Sequence, residues 1–151
     1  NAAEDILRTL KIRTGKEGKE IIPIRVLEIG EVNAAFEWAS ATIKKNLTKD
    51  FTSQEEDIVK LQALVDGGKI QSNQRTAWES IGLAFGSILE NEMEGMTWVS
   101  VIDGHHEYAA LQFGDFLVNP AHWVWSKAKV KQSIDLKAEF ARIKEEVEKR
   151  L

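Results

Sequence analysis

Two glycines four residues apart on the apolar face of a helix constrain this chain more than any other feature. Trp78, Ile81, Gly82, Phe85, Gly86 and Leu89 fall at the i, i+3, i+4, i+7 spacing of an amphipathic helix over residues 73–93. A glycine inside a helix costs about 1 kcal/mol relative to alanine, so a pair on the buried face predicts that another element approaches the backbone closely there. The helix stops at Gly95. Thr97 to Ile102 is rich in tryptophan, valine and isoleucine and reads as a strand.

Asp103-Gly104 follows at once. This pair suits the centre of a two-residue hairpin turn and predicts antiparallel pairing of 97–102 with 105–112. Gly114-Asp115 marks a second corner before a short strand over 115–118. The expected fold class is α+β, with helices packed on a small antiparallel β-meander.

The flanking segments supply those helices. Val32, Phe36, Ala39, Ile43 and Leu47 keep helical spacing over 31–47, and Ile58, Leu61, Leu64 and Val65 do so over 53–66. Thr52 or Ser53 would cap the second of these, each with a glutamate three residues on, and Ser72 or Asn73 would cap the central helix. Asn119-Pro120 opens a short helix through His122 and Trp125. A narrow seam of Leu136, Phe140, Ile143, Val147 and Leu151 marks a last helix over 134–150, which suits packing across the domain's own core better than a dimeric coiled coil.

At the other end, Ile6, Leu7, Leu10 and Ile12 fit a short helix or a strand, and Gly15 and Gly18 a solvated turn. Ile21 to Ile29, with Pro23 near its start, reads as an edge strand or extended arm. One domain over 1–151 results, with an arm over 1–30, a helical part over 31–93, a meander over 94–119 and C-terminal helices over 120–151.

Composition narrows the function classes. The chain carries 20 basic and 24 acidic residues, interspersed, for a net charge of −4, which disfavours nucleic acid as a partner. No run approaches the roughly 20 apolar residues of a membrane span. The absence of cysteine removes thiol catalysis, disulfides and cysteine-ligated metals. No nucleophile elbow, phosphate-binding loop or zinc-protease motif is present. Asn1-Ala2 is set aside as a processing remnant, and a natural start at Ala3 without methionine leaves both a cytoplasmic and, after signal-peptide removal, a periplasmic or secreted location open.

Several stretches together resemble a known family. These are Leu61-Gln62-Ala63-Leu64-Val65-Asp66, Ile81-Gly82-Leu83-Ala84-Phe85-Gly86, Trp98-Val99-Ser100-Val101-Ile102-Asp103, Ala110-Leu111 and Pro120. In order and spacing they are similar to an uncharacterised bacterial domain of unknown function, over residues 55–138. The resemblance departs where a glycine usually follows the aspartate after a few residues, since here Gly104 follows Asp103 directly and His105-His106 occupy the turn. It implies a fold and a bacterial origin and no reaction.

Asp103, His105, His106 and Glu107, with His122, are the residues in which chemistry would be sought. Imidazoles and carboxylates on one hairpin tip suit a divalent metal, but adjacent histidines on a strand face opposite ways, so a metal would need His122. A meander brings His122 back to the end of the sheet that holds Asp103. The alternative function is therefore a small metal-dependent hydrolase using the Asp103–Glu107 turn and His122.

The favoured function is a non-enzymatic protein-binding module, of which an immunity-like protein neutralising a bacterial toxin is one form. Its tryptophan-lined groove or exposed strand edge would engage a protein partner. Its binding residues would be Trp98, Asp103, His105, His106, His122, Trp123 and Trp125. No catalytic residue, metal or cofactor is assigned, and a monomer or weak homodimer is expected.

Overall fold

A computed structural model describes residues 19–151. The expectations for residues 4–13 and for the turn at Gly15 and Gly18 lie outside the described residues.

The glycine-marked helix is central. It runs Arg75–Glu92, and every residue from Ile81 to Leu89 is buried. A methyl group on Gly82 would collide with the Pro120 carbonyl and lie 2.6 Å from Ala121 Cα; one on Gly86 would lie 2.6 Å from the Trp98 ring and 3.0 Å from that of Pro120. Only hydrogen fits at either position. The element that crosses the glycines is the helix Pro120–Ala128, entered as expected, with Asn119 accepting a 3.1 Å hydrogen bond from the His122 N–H.

The other helices are Val26–Leu47, Ile58–Asp66 and Leu136–Lys149. In chain order we call the five helices α1 (26–47), α2 (58–66), α3 (75–92), α4 (120–128) and α5 (136–149). Helix α1 begins five residues before the expected start at 31, because the extended arm stops at Pro23 and Arg25 reaches forward to Glu28 within the first helical turn. Two expected caps are also corrected. The entry to α2 is closed by Gln54 and Asp57, with Asp57 accepting from the N–H groups of Thr52 at 2.8 Å and Gln54 at 3.0 Å. Ser53 instead has a φ of 59°. At α3 the N-cap is Gln74, without a side-chain cap bond, so neither Ser72 nor Asn73 serves there.

Four strands form one antiparallel sheet in the order β1 (Lys19–Pro23), β2 (Thr97–Asp103), β3 (His106–Phe113) and β4 (Phe116–Val118). The arm thus adds an edge strand to the expected three-stranded meander. The first turn is shifted by one residue: Asp103 pairs with His106, leaving Gly104-His105 at its centre. Gly104 has a φ of +62°, the conformation that a two-residue turn with glycine first requires. The shift moves each β3 residue two places along β2 and leaves its face unchanged, since paired residues share a face. Val99, Val101, Asp103, His106, Tyr108 and Ala110 share one face; Trp98, Ser100, Ile102, Glu107, Ala109 and Leu111 share the other.

The main core lies on the second face, where Leu111 and Val118 join side chains from all five helices. Leu136, Phe140, Ile143 and Val147 of α5 are buried in it, so the seam serves the domain's own core, while Leu151 is exposed. Gln62 of α2 holds the entry of α5. Its amide nitrogen donates to the Ile134 carbonyl at 2.9 Å and its oxygen accepts from the Leu136 N–H at 2.9 Å.

Candidate functional site

A buried ion pair sets where α1 stands on the sheet. The Glu28 carboxylate is fully buried and accepts from Arg25 at 2.6 and 2.9 Å and from Ser100 Oγ at 2.6 Å; Ser100 in turn accepts from the Arg25 N–H at 2.9 Å. The bonds from Arg25 hold the Glu28 carboxyl below its ordinary range despite burial, with Ser100 adding to the effect. A carboxylate so held is a poor base, and Ser100, buried with both bonds committed, is a poor nucleophile. The group is a lock between helix and sheet.

Beside this lock opens a cleft of about 1020 Å³, walled by α1, α3, the entry of α4 and strand β3. Trp38 and Glu31 come from α1, Arg75 and Glu79 from α3, and Asn119 and His122 from the start of α4. The β3 wall has a particular form. His106, Glu107, Tyr108 and Ala109 all line the cleft in succession, although alternate members belong to opposite faces of the sheet. The cleft therefore looks onto the edge of the strand. It can do so because β4 is short: it pairs only with Leu111–Phe113, and among the described residues His106–Ala110 pairs with β2 alone.

Charge in the cleft is unevenly committed. Arg75 is paired with Glu79 at 3.3 Å and lies over the Trp125 ring at 5.6 Å, and Glu107 receives a 3.2 Å bond from Arg25. Glu31 is open to solvent on one side, yet the walls remove part of its hydration, and the charges of Glu28 and Glu79 add to this; together they raise its pKa. Burial raises Tyr108, as does the nearby charge of Asp103, while a hydrogen bond with Asn119 offsets part of the rise.

The expected site residues separate into two groups. Asp103, His106 and His122 line the cleft, so the meander does return His122 to the Asp103 end. They share a cavity without forming a ligand set: among the described residues no three histidine, aspartate or glutamate side chains are grouped to hold a metal ion. His105 sits at the exposed turn. The tryptophans are mostly structural. Trp98 packs against Gly86 and borders a second, smaller cleft, while Trp123 and Trp125 pack against the core beneath Lys127 and Arg75.

Sequence reasoning missed Glu31, Trp38, Arg75, Glu79 and Tyr108 as cleft residues. The signal for the first two was a second stripe on α1, Glu31, Ala34, Ala35 and Trp38, running beside the core stripe. Tyr108 left no signal of its own, because its place at an open strand edge depends on how far β4 pairs.

Among the described residues these features define a small α+β fold in which five helices and an antiparallel sheet enclose a cleft at a strand edge. The chain belongs to the family described as domain of unknown function DUF3806, whose model matches residues 57–140. That span nearly coincides with the one carrying the resemblance in the sequence. The fold is similar to a crystal structure from Bacteroides thetaiotaomicron VPI-5482, with 37% identity and a TM-score of 0.79, covering 82% of this chain and 46% of that one. The chain thus spans under half the length of that neighbour, whose bacterial source agrees with the origin the resemblance implies. None of the curated proteins matches. Among the described residues no helix is long and apolar enough to cross a membrane.

Proposed function

We propose that this domain is a non-enzymatic protein-binding module that receives its partner in the cleft beside β3. The observation that carries this reading is the cleft itself, where a strand edge unpaired among the described residues, the half-buried Trp38 and polar groups from several elements converge. Aromatic anchors beside unpaired backbone are the usual makings of protein recognition. Immunity-like neutralisation of a toxin would be one instance of such binding.

A photo-crosslinking side chain at Ser80, which lines the cleft, and separately at Lys137, on the exposed surface of α5, tests it in bacterial cells that carry the gene. The expected result is one protein joined through Ser80 and absent from Lys137. Once purified, that protein binds the domain in calorimetry, and the Trp38→Ala variant binds it at least about ten-fold more weakly. The same adducts from both positions, or no binding by the purified protein, would remove the reading.

A further inference from the structure

We infer that the cleft takes an extended, lysine- or arginine-bearing segment of its partner, which adds as a strand to the open edge of β3. This rests on the protein-binding reading above and names the form and chemistry of the partner.

The edge carries the first half of the argument. A strand with a neighbour on one side only presents alternate N–H and C=O groups outward on the other, and an extended chain satisfies them by main-chain pairing. Residues His106–Ala109 are in that state among the described residues, and the cleft opens directly on them. The site is also recessed. Helices α1 and α3 on one side and the entry of α4 on another leave room for a single chain, spaced about 4.8 Å from β3, but obstruct the approach of a second sheet. A volume of about 1020 Å³ stands at the top of the range of about 300–1000 Å³ for small-molecule pockets, which suits a peptide segment better than a compact ligand.

Charge carries the second half. The walls bring four carboxylates, Glu31, Glu79, Asp103 and Glu107, against two cations, Lys19 and Arg75. Arg75 is already held by Glu79 and Trp125, and Glu107 is already satisfied by Arg25. Lys19 stands opposite Asp103 in the β1–β2 register, which leaves Glu31, on α1, as the cleft carboxylate that no ion pair commits among the described residues. Side chains of an added strand point alternately to its two sides, so a basic residue on the side of α1 meets Glu31. The crowding that raises the Glu31 pKa is relieved when a cation enters.

The test uses three synthetic extended peptides in which valine alternates with lysine, with glutamine or with glutamate, titrated against the whole chain at pH 7.5 and low salt. The lysine peptide is expected to bind at least about ten-fold more tightly than the glutamate peptide, to weaken with added salt, and to slow hydrogen exchange at amides within His106–Ala109. The variant Glu31→Gln should lower its affinity to that of the glutamine peptide. Equal binding of the lysine and glutamine peptides by the unaltered chain would overturn the charge assignment and leave the binding-module reading in place. Tight binding without protection of β3 amides would overturn strand addition. If no peptide binds while the partner joined through Ser80 still does, strand addition fails alone; if neither binds, both inferences fall.

Discussion

The two flanks of α3 are built by opposite rules. Along one, Gly82 and Gly86 let the helix touch α4 and Trp98 so closely that a single methyl group has no place. Along the other, Arg75, Glu79 and Leu83 face an open cleft of about 1020 Å³. Arg75 and Glu79 continue the stripe of Gly82 and Gly86 toward the N-terminus of the helix, with Leu83 beside it, so the two flanks adjoin along the helix axis. The open flank is where Glu31 and, among the described residues, the edge of β3 without a second strand lie. The contrast separates residues kept for assembly from residues available for recognition.

Breaking the support of the open flank should have the largest effect. Glu28→Ala removes the buried carboxylate that holds α1 against the sheet and leaves Ser100 and the Arg25 head group without it. We expect a loss of about 3 to 4 kcal/mol in urea unfolding, with the cleft losing one wall. A loss under about 1 kcal/mol would mean that α1 is placed by apolar packing alone. The same carboxyl gives a pH test. Its folded pKa lies below the ordinary value of 4.5, so its contribution is present above that value and lost as pH falls through the folded value. The stability gap between wild type and Glu28→Gln should narrow accordingly on acidification.

The sealed flank comes next. Gly82→Ala drives a methyl group into the backbone of Pro120 and Ala121, which cannot rotate away, and should cost about 3 kcal/mol. Gly86→Ala meets the rings of Trp98 and Pro120, and Trp98 is only partly buried and can shift, so about 1 to 2 kcal/mol is expected. Thermal midpoints at or above wild type for both would mean that the flank is not sealed.

Surface changes on the open flank should barely register in stability. Glu31→Gln should leave stability within about 0.5 kcal/mol of wild type at pH 7, on the favourable side, because a carboxyl with a raised folded pKa costs stability once ionised. The gain should vanish below the ordinary value, where both states are protonated. Smallest of all, replacing His105, His106 and His122 together with alanine should leave folding and divalent-metal content by elemental analysis unchanged. Loss of a stoichiometric metal in that variant would make the turn an active-site candidate.

Much of the sealed flank was readable in the sequence, because packing leaves a local record. Paired glycines on an apolar face, the Asn119-Pro120 entry and the Leu136 to Val147 seam all describe contacts that each segment makes with its own apolar stripe. The open flank was readable only in part. Its geometry follows from the shortness of β4, which is decided by pairing between strands. The start of α1 was hidden for a related reason: Arg25 and Glu28 look like surface charges until Ser100, 72 residues past Glu28, closes over them. The tryptophans misled in the other direction. Trp98, Trp123 and Trp125 attract attention as binding anchors, but packing takes up much of their surface, and the tryptophan beside the cleft is Trp38.

The amide of Gln62 sets an order of events during folding. It joins α2 to the backbone at Ile134 and Leu136, contacts spanning 72 and 74 residues of chain. Closing a loop of that size costs entropy before any contact is gained, so local helices and the β2–β3 hairpin can form well ahead of it. The last helix then docks onto a largely assembled body, with Gln62 supplying both hydrogen-bonding groups that receive it. A chain emerging during synthesis would meet the same sequence of steps, because the docking site at Gln62 is made long before the helix that occupies it.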